Sequence, residues 1–141
     1  MEILDVSAIV NLAIQGGERV VDLVKGLVTL ELAFYESGNG VWKLCSLKHK
    51  MTREQATTLI ETVSNLLAMM KTPSYDELLP GEILQLAFDE KRTYYDTTYT
   101  QAGKAKGLSL VTNDRHLAAA AAHHIRTKSS HELQPDLNWR G

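Results

Sequence analysis

Four acidic residues stand in local contexts that suit them to act together. They are Asp5 in Ile-Leu-Asp-Val-Ser (3–7), Glu36 in Phe-Tyr-Glu-Ser-Gly-Asn (34–39), Asp96 in Tyr-Tyr-Asp-Thr-Thr-Tyr (94–99) and Asp114 in Leu-Val-Thr-Asn-Asp-Arg (110–115). At least three of them fall where an apolar strand pattern hands over to a helix. Acids distant in sequence but gathered at one edge of a parallel sheet repel each other unless a cation lies among them. Oxygen-only donors of this kind suit hard divalent ions, Mg2+ or Mn2+. The chemistry that follows is metal-assisted phosphodiester hydrolysis. Ser7 and Thr112 stand two residues from Asp5 and Asp114, and Asn39 stands three beyond Glu36 on the same helix face. Such polar companions can orient carboxylates or bound water. Each acid also has a plainer role: Asp5, Asp96 and Asp114 can cap helices, and Glu36 can be an exposed helix residue.

The elements that must place these residues alternate along the chain. Residues 2–6 read as a short buried strand, followed by a helix over 7–14 that Gly16-Gly17 stops. A second helix over 18–25 ends at Gly26, residues 27–32 alternate like a strand, and a long helix is expected over 34–50. Thr52 with Gln55 is a capping-box signature for a helix reaching Met70. Pro80 opens a helix to Lys91, 96–106 is a helix ended by Gly107, and 108–112 is a strand. A helix over 114–123 and a short strand within 125–128 precede a polar tail at about 129–141. Alternating strands and helices predict an α/β chain: a three-layer α/β/α sandwich around a mainly parallel sheet of four to five strands. In such sheets ligands bind beyond the carboxyl ends of the strands, where Asp5 and Asp114 fall.

Composition sets the outer bounds. The 141 residues are 44% hydrophobic and 23% charged, which fits one globular domain over 1–141 and argues against disorder. A net charge of −2 argues against a protein that simply coats nucleic acid, although basic residues remote from an acidic site can still hold phosphates. The single cysteine, Cys45, leaves no internal disulfide and reads as a small apolar residue of a reducing compartment. With no signal-peptide pattern and no apolar run of roughly 20 residues, the expected location is the cytoplasm, away from membranes. His123 and His124 are adjacent, and side chains about 100° apart on a helix do not readily share an ion. His116, the Lys43, Lys48, Lys50 and Arg53 run, and Tyr94, Tyr95 and Tyr99 have ordinary surface or core readings beside any contact with substrate.

Taken together, Leu-Asp-Val-Ser-Ala-Ile-Val, Tyr-Glu-Ser-Gly-Asn-Gly-Val-Trp-Lys, Tyr-Tyr-Asp-Thr-Thr-Tyr and Leu-Val-Thr-Asn-Asp-Arg-His-Leu resemble the successive motifs of PIN-domain ribonucleases. The small single-domain size is similar to the VapC toxins of VapBC toxin–antitoxin pairs. The resemblance implies a Mg2+- or Mn2+-dependent endoribonuclease with metal-binding acids at Asp5, Glu36, Asp96 and Asp114, supported by Ser7, Asn39 and Thr112. Glu31 is the alternative to Glu36, five residues earlier. The resemblance also implies an RNA substrate, a cognate VapB-like antitoxin and a homodimer. This chain departs from the family in Gly38 and Gly40 and in carrying Arg115 and His116 where some members have a further acid. Competing readings are a housekeeping RNA-processing PIN nuclease and a catalytically silent PIN-like module that binds protein or RNA. A haloacid-dehalogenase-type phosphatase would need an acid where Ser7 stands.

Overall fold

The structure is a computed structural model that describes residues 1–133. Three short strands, β1 (Glu2–Leu4), β2 (Ser109–Val111) and β3 (Thr127–Lys128), form a parallel sheet in the order β1-β2-β3. Leu4 pairs with Val111, and Val111 with Lys128. The sheet widens beyond β1, because Val28 bridges in parallel to Ile3 on one side and to Lys71 on the other. Leu4 N donates to Val28 O at 2.9 Å and Thr29 N to Lys71 O at 2.9 Å, so residues 27–29 carry the hydrogen bonds of an inner row.

The helices are α1 (Val6–Gln15), α2 (Glu18–Val24), α3 (Leu32–Ser46), α4 (Arg53–Ala68), α5 (Pro80–Glu90), α6 (Tyr94–Lys106) and α7 (Arg115–Ala121), with a 3₁₀ turn at Tyr75–Leu78. Alternate strand residues face opposite sides of a sheet, and this assigns the helices to two layers. Leu4 and Val111 pack with Ile9 and Leu12 of α1, Val20 and Val24 of α2 and Val63, Leu66 and Leu67 of α4. Ile3 and Leu110 face the other way, onto Ile83 of α5, Tyr99 and Ala102 of α6 and Leu117 and Ala121 of α7. The fold is therefore the expected α/β/α sandwich with a buried parallel sheet.

Four local readings change. The strand-like stretch 27–32 contributes only its first residues to the sheet; Val28, Thr29 and Leu30 are all buried, and Ala33 N already returns to Leu30 O as α3 begins. The helix expected to reach Lys50 ends at Ser46, where Lys48 and Lys50 donate back to Lys43 and Leu44 and His49 takes a left-handed φ of 51°. Helix α6 starts before Asp96, because Thr93 is the cap and accepts from Asp96 N at 3.1 Å. The tail expected from 129 is not detached at its start: residues 130–133 are helical, Ser130 is fully buried and Leu133 joins the α1/α2/α4 core. The remainder of that tail, including Trp139, lies outside the described residues.

Candidate active site

The site grows from the register of β1 and β2. Because Leu4 pairs with Val111, the residues that follow these strands emerge side by side, and Asp5 N donates to Val111 O at 3.1 Å. Asp5 then caps α1, its Oδ1 accepting from Ala8 N at 3.0 Å and from the Ser7 hydroxyl at 2.7 Å. Its Oδ2 accepts from the Thr112 hydroxyl at 2.5 Å. Thr112 Oγ1 in turn accepts from Asp114 N at 3.0 Å, and the Asp114 carboxylate caps α7 through His116 N at 2.9 Å and Leu117 N at 3.1 Å. Capping and chemistry are thus not alternatives for Asp5 and Asp114. The caps hold the carboxylates at the carboxyl edge of the sheet, beside two positive helix ends.

The other two acids arrive from helices, so two acids rather than the expected three stand at strand-to-helix junctions: Asp96 lies in α6, which follows α5 with no strand between them. Glu36, on α3, accepts from the buried Tyr99 hydroxyl at 2.8 Å. Asp96, three residues before Tyr99 on α6, accepts from Arg92 Nη2 at 2.8 Å, an i,i+4 pair in which Arg92 stands just before the cap of the helix. Burial pushes the Asp5 carboxyl above the usual carboxylate range, and the charge on Asp114 adds to that. Hydrogen bonds from Thr112, Ser7 and Ala8 act in the opposite direction. Glu36 is raised for the same leading reason, with the charges of Asp96 and Asp5 adding to it and the Tyr99 hydroxyl opposing it. Tyr99 is held protonated, first by burial and then by Glu36, Asp5 and Asp96. These mutual effects tie all four acids into one electrostatic group.

Each acid is nevertheless turned to its own protein donors. Among the described residues, no three Asp, Glu, His or Cys side chains converge into a ready ligand set. The donor set still fits a hard divalent cation. It is all oxygen, two of its members are raised by burial and by neighbouring acids (Asp5 by Asp114, Glu36 by Asp96 and Asp5), and the cation paired with it, Arg92, engages Asp96 alone through the hydrogen bond described.

The remaining sequence candidates fall out unevenly. Ser7 and Thr112 both hydrogen-bond Asp5. Asn39 is exposed, and the buried polar residue of that turn is Ser37, which donates to Phe34 O at 3.0 Å. Glu31 is exposed at the cap position of α3, without a capping hydrogen bond, about 140° around the helix from Glu36. His124 pairs with Glu90 at 2.5 Å, and His116 touches the site through its backbone N–H.

Sequence reasoning missed a buried polar strut. Ser130 accepts from Asn11 Nδ2 at 2.7 Å and from Asn113 Nδ2 at 2.8 Å, while Ser130 N donates to Asn113 Oδ1 at 2.8 Å. Asn113 N also donates to Ser7 Oγ at 2.9 Å, which joins the strut to the partners of Asp5. No local pattern marks Ser130. Arg92 and Tyr99, by contrast, lie four before and three after Asp96, a spacing that points to a shared helix face.

Acids past the carboxyl edge of a parallel sheet in an α/β/α sandwich are the arrangement of a PIN domain. The chain is 31% identical over 117 residues to a Pyrobaculum aerophilum protein named Exonuclease VapC9, covering 83% of each. It is also 31% identical over 121 residues to Ribonuclease VapC3 of the same organism, covering 82% of this chain and 91% of that one. The crystal structure of PAE2754, again from P. aerophilum, superposes with a TM-score of 0.77 at 26% identity, covering 96% of this chain and 95% of that one. No protein-family model matches the chain. The chain belongs to the VapC family of PIN-domain ribonucleases.

Proposed function

We propose that this protein is a Mg2+- or Mn2+-dependent endoribonuclease of the cytoplasm, the toxin of a type II toxin–antitoxin pair. The observation that carries the reading is the electrostatic group made by Asp5, Glu36, Asp96 and Asp114 at the sheet edge, in a chain of this family. These four residues would hold the ion, with Glu36 rather than Glu31 as the glutamate, because Glu36 faces Asp96 and Asp5. When bound, the ion would lower the pKa of a water and offset charge on the scissile phosphate and the leaving oxygen.

The chain's own residues prepare that chemistry. Ser7 and Thr112 fix the two oxygens of Asp5, and Tyr99 fixes Glu36. Arg92 balances Asp96 until phosphate or cation competes for it. Exposed Lys43, Lys48, Lys50 and Arg53 offer charge for the RNA backbone. No helix among the described residues is long and apolar enough to cross a membrane. A VapB-like antitoxin and a homodimer belong to the same proposal; exposed Leu84 and Phe88, one turn apart on α5, are surface that a second copy could cover, and light scattering would report the dimer.

The test is divalent-dependent cleavage of single-stranded RNA by purified wild type and Asp96→Asn. Loss of cleavage in the variant supports the reading, and equal activity in the two overturns it. Glu36→Gln should reduce turnover more than Glu31→Gln. One relative is named an exonuclease, so a circular RNA decides between the modes: it has no end, and only an endonuclease opens it.

A further inference from the structure

A cavity of about 180 Å3 is walled by Leu30, Leu78, Tyr75, Tyr94 and Tyr95. Helix α6 contributes both to this cavity and to the group of acids. Successive helical residues rotate by about 100°, so Tyr94, Tyr95 and Thr98 form the cavity face, while Asp96 and Tyr99 form the adjoining site face. Glu31, also lining the cavity, precedes Glu36 by five residues, about 7.5 Å along the helix axis. The cavity and the acids therefore share α3 and α6, and a strand held at the acids can extend along these helices to the cavity.

The size restricts the occupant. Sites for whole small molecules run to roughly 300–1,000 Å3, so a cavity of about 180 Å3 admits one planar ring system rather than a complete ligand. The walls suit such a ring. Tyr75 is 57% exposed and Tyr95 60% exposed, aromatic surface that core packing does not use. The Tyr75 and Tyr94 hydroxyls lie 2.5 Å apart, which joins the 3₁₀ turn to α6 across the cavity. Base–aromatic stacking is a main source of affinity for single-stranded nucleic acid. At the rim, the Glu31 carboxylate makes no hydrogen bond or ion pair among the described residues. Two free carboxylate oxygens match a base edge with adjacent N–H donors and repel one that presents carbonyls.

We propose that this cavity is a nucleobase subsite for RNA held at the acids, stacking one base on Tyr95 and Tyr75 and selecting guanine through Glu31. This rests on the ribonuclease reading above. A guanine turns its ring N–H and amino group to Glu31, whereas uracil offers that carboxylate a single donor between two carbonyls.

The test uses an oligouridine decamer carrying one 6-methylisoxanthopterin, a fluorescent guanine analogue, with Ca2+ replacing Mg2+ so that binding is read apart from turnover. Quenching on wild type, with roughly five- to hundredfold weaker binding to Tyr95→Ala, is expected. Glu31→Gln should narrow the preference for the guanine-bearing decamer over plain oligouridine. Thermal melting of each variant establishes that it is folded. Equal binding of the probe by folded Tyr95→Ala and wild type overturns the subsite, and so does equal wild-type affinity for the two decamers. The former is also the outcome expected if the cavity holds a side chain of a protein partner. Failure of wild type to cleave any RNA would instead overturn the nuclease reading, and the binding arm would still decide the subsite.

Discussion

Thr112→Val tests how the sheet edge holds a charge that burial disfavours. Valine keeps the shape and removes one hydroxyl, which donates to Asp5 Oδ2 at 2.5 Å and accepts from Asp114 N at 3.0 Å. Thr112 is 3% exposed and Asp5 is 4% exposed, so water cannot readily replace the lost donor. A hydrogen bond to a charged group contributes about 1.5–3 kcal/mol. Asp114 N is less buried and can recover a water, so a total of about 2–3 kcal/mol is expected at pH 7. With an unfolding entropy of about 0.3 kcal/mol/K for a chain of this length, the Tm should fall by about 7–10 °C. The pH dependence identifies the cause. Asp5 already has a raised folded pKa, so its protonated form is favoured by folding. That contribution is complete below the ordinary carboxylate value of about 3.9 and is lost as pH rises through the folded value. Removing Thr112, the largest of the opposing contributions, raises the folded value further. The deficit of the variant should therefore shrink to about 1 kcal/mol near pH 3, where the carboxyl is protonated in both states. Calorimetric melting of wild type, Thr112→Val and Thr112→Ser across pH 3–7 measures this, with the serine expected to recover most of the loss. A deficit equal at pH 3 and pH 7 would refute the idea that the hydroxyl serves the ionised acid.

Other substitutions probe separate links. Tyr99→Phe removes the donor that holds the Glu36 pKa down, so the acidic limb of the pH–rate profile should move to higher pH; an unmoved limb shows that Glu36 ionisation does not govern cleavage. Ser130→Ala deprives both Asn11 and Asn113 of a buried partner and should cost about 1–3 kcal/mol by denaturant titration. A loss below about 0.5 kcal/mol would mean that water fills the gap. Gly103→Ala would place a methyl 2.6 Å from Ile125 Cδ1 and 3.1 Å from Leu108 O. Ile125 can turn aside but the carbonyl cannot easily do so, and a cost of about 1–3 kcal/mol is expected in the same titration.

The legibility of this chain followed the range of the forces involved. Helix starts governed by neighbouring residues were readable, as with Thr52 and Gln55, whose reciprocal bonds at 3.1 and 2.9 Å form a capping box. The start of α6 is not fixed by its local sequence, because Thr93 and Asp96 both suit a cap, and only the backbone shows which one is used. The short row at 27–29 was partly readable, since its hydrogen bonds go to residues 2, 4 and 71, far away in sequence. Glu31 and Glu36 could not be separated by spacing; the turn of α3 toward Tyr99 separates them geometrically.

By itself, the sequence determined that Asp5 and Asp114 would stand at strand-to-helix junctions of a parallel α/β sandwich, because apolar periodicity and capping chemistry act over a few residues. Tertiary structure alone decided that Asp5 meets Thr112 across 107 residues and Glu36 meets Tyr99 across 63. It also decided that Ser130, from what reads as a polar tail, closes the network behind Ser7. Those contacts depend on strand register and helix packing, and the burial they create raises Asp5 and Glu36 and couples the acids into one group.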